Sequence, residues 1–329
     1  MADDVADPAQ PRKRWRPARI AVPIEQGRPF VRVDFDATAQ TSWTLKSRYR
    51  RLFRGVYLPR DIEVTSHLMA EAALLLAGEG CYVSHHTAAV LWGGVVPDHP
   101  DTHVTYRGPR ARCFGIAAHR RKKNQRVTTW RGIRTTSALQ TFLDMAQVLS
   151  LVDLVVLGDS LVKQRRFSPQ ELVAFVMDAT GPHHRKAKRA AGLVRRGVDS
   201  PMETRLRLLI VFAGLPEPTV DHRIHDVDGD LLYRFDLSYL KYGLIIEYDG
   251  RQHAESTEQW HGDLDRDEQL DDWQIRRLVV VSTGIFNTPG KTLARITKAM
   301  RERGMTVPPL SDEWRRHFPS RPWDVDVPA

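Results

Sequence analysis

The sequence predicts an α/β protein of two domains, the C-terminal one a small mixed sheet flanked by helices. Three observations predict it. The chain has 329 residues, more than one ordinary domain needs. Capped segments of helical period alternate with short runs rich in β-branched and aromatic residues. From Ser200 onward that alternation reads α-β-β-β-α-β-α. The implied organisation is a disordered tail over 1–40, an α/β domain with a basic β-platform over 41–180, a basic linker helix over 181–199, the second domain over 200–305, and a tail over 306–329.

The first residues mix Pro, Arg and Asp without period, and PRKRWRPAR is a basic run with one aromatic. Such a segment buries too little to order itself. Arg48–Arg60, RYRRLFRGVYLPR, places aromatics around Gly55 and reads as a short strand pair, with little helical periodicity ahead of it. Ser66–Ala77 reads as a helix: Ser66 caps it, Leu68, Ala72 and Leu75 recur at helical spacing, and Gly78 ends it. Ser84 caps a second helix, His85–Trp92, ended by Gly93-Gly94. His85 and His86 hold consecutive helical positions, which diverge. They read as surface or packing histidines, as do His183 and His184.

Thr102–Leu143 contains no acidic residue. It reads as strands THVTY, FGIAAHR and RVTTWRGI, with Arg120, Arg121, Lys122 and Lys123 clustered after the second. Two readings stand: a surface that contacts nucleic-acid backbone, or a basic rim that balances the acidic C-terminal domain. Thr136–Ala146, Leu149–Leu161 and Pro169–Met177 read as helices packing this same domain. Gly181–Val198 carries Arg185, Lys186 and further cations, and reads as a helix joining the domains. It either carries nucleic-acid backbone or is a solvated linker.

Ser200-Pro201-Met202-Glu203 has the form of a capping box, with Leu206, Leu209, Ile210 and Ala213 facing the sheet. Thr219–His225 reads as a strand and Asp228-Gly229 as a turn. Arg234–His253, RFDLSYLKYGLIIEYDGRQH, then folds as a hairpin about Lys241-Tyr242. That turn centre sets Asp236 across from Glu247. Phe235, Leu237 and Tyr239 share a face with Leu244, Ile246 and Tyr248; Asp236, Glu247 and Asp249 share the other. Three carboxylates within a few ångströms repel unless a cation lies between them, and hard oxygen donors suit Mg²⁺ or Mn²⁺. The competing reading is a solvated outer face. Glu258–Trp273 reads as a charged amphipathic helix on which Arg266 either contacts phosphate or pairs with Asp263. Ile275–Ser282 is a buried strand and Pro289–Met300 a closing helix.

The Asp ending one strand, followed by Glu-x-Asp-Gly-Arg-x-His ending the next, resembles the actinobacterial branch of the restriction-endonuclease-like PD-(D/E)XK nucleases. Within that superfamily the segment is similar to domains related to very-short-patch-repair endonucleases. The resemblance spans Asp199–Arg295 and takes in SPMETRLRLLIVFAGLPEP and Trp260-x-x-Asp263-x-x-Arg266. Upstream, RLFRGVYLPR resembles the wing of a winged-helix domain, and SHHTAAVLWG through TTSALQTFLDMA is similar to the abortive-infection (type IV) antitoxin region fused to such nuclease domains. The resemblance implies hydrolysis of DNA phosphodiester bonds. Asp236 and Glu247 would hold Mg²⁺ or Mn²⁺, Asp249 would hold it directly or through water, and Glu203 would add a ligand from the helix. Asp249 stands where the superfamily has a Lys that helps the attacking water; Arg251 and His253 are the nearest substitutes, as groups that orient water or hold phosphate. The alternative is a DNA-binding antitoxin or transcriptional regulator that keeps the fold without turnover, with a cognate toxin or a repair protein as partner.

A net charge of +9 favours polyanionic partners, or serves solubility alone. Two isolated cysteines, Cys81 and Cys113, provide neither a disulfide framework nor a zinc motif and fit a reducing compartment. The acidic N-terminus, MADDVADPAQ, has no apolar core segment, and no apolar run approaches a membrane span. The expectation is a cytosolic protein.

Overall fold

The computed structural model describes residues 27–36, 38, 41–106, 108, 113–250 and 268–319. The fold is mixed α/β with sheets of three, five and four strands. It divides into two compact units. One holds the chain up to Leu91 together with Asp98–Thr141; the other holds Trp92–Pro97 and the chain from Phe142 on. Among the described residues no helix is long and apolar enough to cross a membrane.

The first unit runs β1 (Phe30–Val31), α1 (Arg32–Asp36), α2 (Ser42–Arg48), β2 (Tyr49–Phe53), β3 (Val56–Pro59), α3 (Ser66–Ala77), β4 (Tyr82–Val83), α4 (His85–Leu91), β5 (Thr102–Tyr106), β6 (Ile116–Arg120), β7 (Val127–Trp130) and β8 (Ile133–Thr136). The strand pair expected over Arg48–Arg60 is β2–β3, antiparallel, with β1 on its other edge. Of the expected tail over 1–40, residues 1–26, 37, 39 and 40 lie outside the described residues; the rest is corrected here. Phe30 and Phe35 are buried with Leu45 under Tyr49 and Tyr57, so three aromatic-led contacts order a stretch whose local sequence has no period. Thr65, not Ser66, caps α3, taking the N–H of Leu68 at 3.2 Å. Ser84 stands at the N-cap position of α4, its carbonyl taking the Ala88 N–H at 3.3 Å, while its hydroxyl is engaged by Thr105 and His85. RVTTWRGI is a hairpin rather than one strand, because Arg131 and Gly132 both take left-handed φ (48° and 82°), the pattern of a two-residue turn. The larger sheet has order β6-β5-β4-β8-β7, and its short central strand β4 carries too few residues to show a period.

The chain continues through α5 (Ala138–Met145) into the second unit: α6 (Leu151–Lys163), α7 (Pro169–Met177), α8 (His184–Leu193), α9 (Pro201–Phe212), β9 (Thr219–His225), β10 (Leu231–Tyr239), β11 (Leu244–Tyr248), β12 (Arg276–Val280), α10 (Ser282–Phe286), α11 (Pro289–Glu302) and α12 (Glu313–His317). The domain boundary expected at 180 therefore falls at Thr141, and 181–199 is not a linker. Ala187, Ala190 and Ala191 bury the small face of α8, and α8 packs on α6 and α7. Gly158 of α6 has no side chain because a Cβ there would stand 2.3 Å from Val194. Within the tail expected over 306–329, α12 forms and Trp314 and the following Phe318 are buried, while 320–329 lie outside the described residues.

A buried ion network joins α6 to α9. Arg207 is wholly buried, and its guanidinium meets Asp159 and Glu217, each at 3.0 Å, and the carbonyl of Leu193 at 2.8 Å. Asp159 also accepts from Thr204 Oγ1 (2.9 Å) and Arg195 N–H (2.7 Å). Burial pushes the Asp159 carboxyl up, against the pull of Arg207 and these donors. A charge so deep is tolerable only with its partners present.

The four-stranded sheet has order β12-β11-β10-β9. The connection from β10 to β11 is a 3₁₀ turn, Leu240–Tyr242, closed by Gly243 at φ 58°. A side chain at Gly243 would collide with the carbonyl of Gln274 at 2.8 Å. The register pairs Leu237 with Ile246, Ser238 with Ile245 and Tyr239 with Leu244, the one expected from a turn centred on Lys241-Tyr242. Beyond β11 the chain returns as β12, parallel to it, with Glu247 beside Val279.

Candidate active site

Glu203, on a helix, and Asp236, on a strand, lie near enough for the charge of one to act on the other. Ser200 caps α9 by accepting the Glu203 N–H at 3.1 Å. The Glu203 carboxylate accepts the N–H of Asp199 at 2.9 Å, and Ser200 adds hydrogen bonds from its backbone and side chain, as the expected capping box requires. This holds the carboxylate against the sheet, buried at 8 % exposure. Burial, and then the charge of Asp236, push the Glu203 carboxyl up to about 7. Two acids 33 positions apart thus share one electrostatic environment.

Asp236 sits where the β10–β11 ladder ends. The last backbone pair toward the site is Leu237 with Ile246, and the next N–H, that of Tyr248, donates to Asp236 Oδ2 at 3.1 Å. From there β11 is carried by β12, and Asp249 N–H donates to the Val280 carbonyl at 2.9 Å. Opposite Asp236 on β9 lies Asp221, left-handed at φ 55°, a local kink of the sort that re-aims side chains. Strict alternation of faces fails around it: Phe235 shares an apolar cluster with Ile245 and Leu270. Ser238 and Ile245, on the carboxylate side of the hairpin by register, are buried. The competing expectation of a solvated outer face is thereby corrected, because the sheet is covered on both sides at its centre.

The expected convergence of three carboxylates is corrected as well. Glu247 faces Arg277 of β12, with Oε2 and Nε 3.9 Å apart, while Asp236 turns to the Tyr248 backbone. Among the described residues, the set whose ligand atoms all lie within 4.8 Å of one another is a histidine trio, not these acids. The donor chemistry of Glu203, Asp236, Glu247 and Asp249 nevertheless fits a hard divalent cation: all are oxygen donors, and a cation beside Glu203 and Asp236 would relieve the repulsion that raises the former.

Next to this pair opens a cleft of about 760 Å³. Lys163, Arg165, Arg166, Arg196, Arg223 and Arg234 line it, with Glu171, Asp199 and Asp221 as its acids. Asp199 links the two features. Its oxygens meet Lys163 Nζ (3.2 Å to Oδ1) and Arg234, and its N–H is the one that Glu203 takes. Arg234 also bonds Asp221 and donates to the Gly197 carbonyl at 2.9 Å. Arg165 and Arg196 are exposed and form no ion pair among the described residues. Sequence reasoning missed this cluster, since its cations come from α6, the α6–α7 and α8–α9 connections, β9 and β10.

Of the other expected nucleic-acid contacts, Arg120, Arg121, Lys122 and Lys123 are exposed at the end of β6 in the first unit, and Arg185 is exposed on α8. Lys186 is turned inward and donates to the Leu149 carbonyl at 2.7 Å, its burial lowering the pKa of the ammonium. Arg251, His253 and Arg266, with Trp260 and Asp263, lie outside the described residues.

The packing role expected for His85 and His86 is too plain. His85, His103 and His119 bring ligand atoms within 4.8 Å of one another, and His86 and His99 pack against His103 at ring distances of 4.8 and 4.4 Å. Consecutive helical residues do diverge, but strands β5 and β6 supply partners on both sides. Burial lowers the pKa of His85 to about 2 and of His103 to about 3, with neighbouring imidazoles adding to the effect.

No family model matches the chain. Two proteins of Mycobacterium tuberculosis are similar to it: uncharacterized protein MT2308 (strain CDC 1551 / Oshkosh) and uncharacterized protein Rv2248 (strain ATCC 25618 / H37Rv). Each is 25 % identical over 254 residues, covering 75 % of this chain and 91 % of the relative.

Proposed function

We propose that the second unit is a metal-dependent endonuclease that hydrolyses DNA phosphodiester bonds. The observation that carries this reading is the nearness of Glu203 to Asp236 at the splayed end of the β10–β11 hairpin, one residue's backbone away from a basic cleft. Acids that would take a cation, beside cations that would take phosphate, are the two halves of a phosphodiesterase site. Mg²⁺ or Mn²⁺ held by Asp236, Glu203, Glu247 and Asp249 would supply Lewis-acid stabilisation of the phosphate and a more acidic bound water. Arg165 and Arg196 hold the DNA backbone. Lys163, fixed by the Asp199 carbonyl at 2.8 Å, provides a positive charge beside Glu203, where the superfamily pattern has a Lys and this chain has Asp249. Arg251 and His253 are further candidates for orienting water.

The test is incubation of the purified protein with supercoiled plasmid and with single-stranded DNA, with Mg²⁺ or Mn²⁺. Metal-dependent nicking is expected, falling at least 100-fold in Asp236→Asn (roughly the loss of one transition-state-stabilising group), with DNA affinity equal or tighter. Nicking by Asp236→Asn at the parental rate would remove the assignment.

A second reading has its own observation. Glu247 is directed to Arg277, and the four acids are not drawn together, as suits a DNA-binding antitoxin or regulator that keeps the fold without turnover. Salt-sensitive DNA binding with no cleavage under any metal would favour it.

A further inference from the structure

We infer that the first unit carries a transition-metal site, of the Zn²⁺ class, built by His85, His103 and His119. It is separate from the carboxylates of the second unit and does not depend on their role.

The site follows from the sheet. β5 and β6 are parallel, with Thr105 opposite His119 and His103 opposite Ala117. His103 and His119 are therefore diagonal neighbours on one face. β4 is antiparallel to β5 and ends at Val83 opposite Val104; Ser84 N–H donates to the His103 carbonyl at 3.1 Å, which brings His85 over the same pair. The His85 ring stacks on His119 with centroids 3.6 Å apart. His103 Nδ1 and His119 Nε2 stand 2.9 Å apart, a hydrogen bond between two rings. Metal–nitrogen bonds of ~2.0–2.1 Å at tetrahedral angles need nitrogens ~3.3 Å apart. His103 and His119 would part by a few tenths of an ångström, and the His85 ring, now stacked face-on on His119, would turn to bring its nitrogen to the same ion.

Three features point to a ligand rather than to packing. The ring orientation is set from behind, since His85 Nδ1 is bonded to Ser84 Oγ at 2.9 Å, and Ser84 Oγ accepts from Thr105 Oγ1 at 2.8 Å. Ser84 and Thr105 are both fully buried. That is the arrangement that orients a metal-binding imidazole and leaves its other nitrogen for the ion. His85 also adopts a left-handed backbone (φ 51°) at the start of α4, an uncommon conformation outside glycine that occurs at ligand sites as well as at turns. Finally, the Nδ1 of His86 is buried without a hydrogen-bond partner, while His99 Nδ1 lies 3.0 Å from His103 Nε2. Polar nitrogen is thus in excess at this spot. Three imidazoles select Zn²⁺, Cu²⁺ or Ni²⁺ over the hard cations that carboxylates prefer. Water, or a neighbouring histidine, completes the coordination.

The site spans the start of α4, β5 and β6, whose last residue, Arg120, begins the exposed run Arg120–Lys123. An ion there would fasten the base of that run.

The test uses the full chain stripped with a chelator. Calorimetric titration with Zn²⁺ is expected to show one equivalent bound in the micromolar range or tighter, with a rise in melting temperature. Co²⁺ is expected to give the visible absorption of a four-coordinate nitrogen site. His119→Gln is expected to weaken binding at least tenfold and to lose both signals, while the double variant Glu203→Gln/Asp236→Asn keeps them. Should His119→Gln fail to fold, the Co²⁺ spectrum of the parent together with retention in the double variant still decides the matter. No uptake by the parent, uptake unchanged in folded His119→Gln, or uptake lost in the carboxylate variant would each overturn the assignment.

Discussion

A carboxyl held up to about 7 is protonated in the folded protein over a range where the unfolded chain, with an ordinary value of 4.5, has released its proton. Between those values the folded state binds more protons, so Glu203 lowers stability as pH rises through the window and leaves it lower above. Glu203→Gln should therefore stabilise the metal-free protein at pH 8 by about 1–2 kcal/mol after allowance for solvent screening, and do nothing near pH 4. Urea midpoints at the two pH values measure this, and Mg²⁺ should shrink the gap if it binds beside Asp236. The buried histidines work with the opposite sign. His85 and His103 stay neutral when folded but ionise near 6.5 when unfolded. Their contribution is complete above pH 6.5 and is lost toward the folded values, at about 1.4 kcal/mol per pH unit for each. The metal-free protein should lose stability steeply from pH 6 to pH 4, and His103→Asn should flatten that profile.

Helix α9 presents Glu203 to the sheet at its first turn and anchors on α6 one turn later. Arg207, one turn beyond Glu203 on α9, is the anchor. Arg207→Met leaves Asp159 buried without its cation and should cost about 3–5 kcal/mol. Adding Asp159→Leu should restore most of it, since an apolar pair of similar volume needs no counter-charge. Chemical denaturation of the single and double variants measures the difference; a double variant as weak as the sum of the two losses would show that the network is not the reason for the burial. The hairpin has a different logic. Its ladder stops at Leu237 and Ile246, and the freed Tyr248 N–H is satisfied by a side chain. A buried backbone donor has to be paired somewhere, and here that requirement fixes Asp236.

Across the whole molecule the charge is +9, yet the cations differ in how available they are. Lys186 is committed to a carbonyl, and Arg234 to Asp199 and Asp221. Arg165 and Arg196 remain exposed at the cleft. Phosphate contacts appear as the salt dependence of binding, roughly 0.9 in slope for each on duplex DNA. Arg165→Glu/Arg196→Glu should reduce the slope by roughly 2 and weaken binding to all sequences alike. Fluorescence anisotropy at four salt concentrations measures it, with Arg185→Glu in parallel. A slope that changes only in Arg185→Glu would move the DNA path off the cleft and onto α8.

Local signals set much of what the sequence determined by itself: the α/β class, α3 and α7 end to end, β9, and the hairpin register that follows from a turn centred on Lys241-Tyr242. Caps, glycine stops and two-residue alternation act over a few positions, so they are legible without the fold. Asp236 and Glu203 were legible as candidates for the same reason, one ending a strand and one at the third position of a capped helix. The tertiary structure alone decided that these two lie near each other while Glu247 turns to Arg277, because that depends on where a ladder breaks and on a kink at Asp221 in another strand. It also decided that α8 is core rather than linker: three buried alanines face α6 and α7, Val194 closes on Gly158, and a run of surface cations hides them. The histidine cluster was invisible for the same physical reason, its members being 18 and 16 positions apart and brought together only by the pairing of β5 with both β4 and β6.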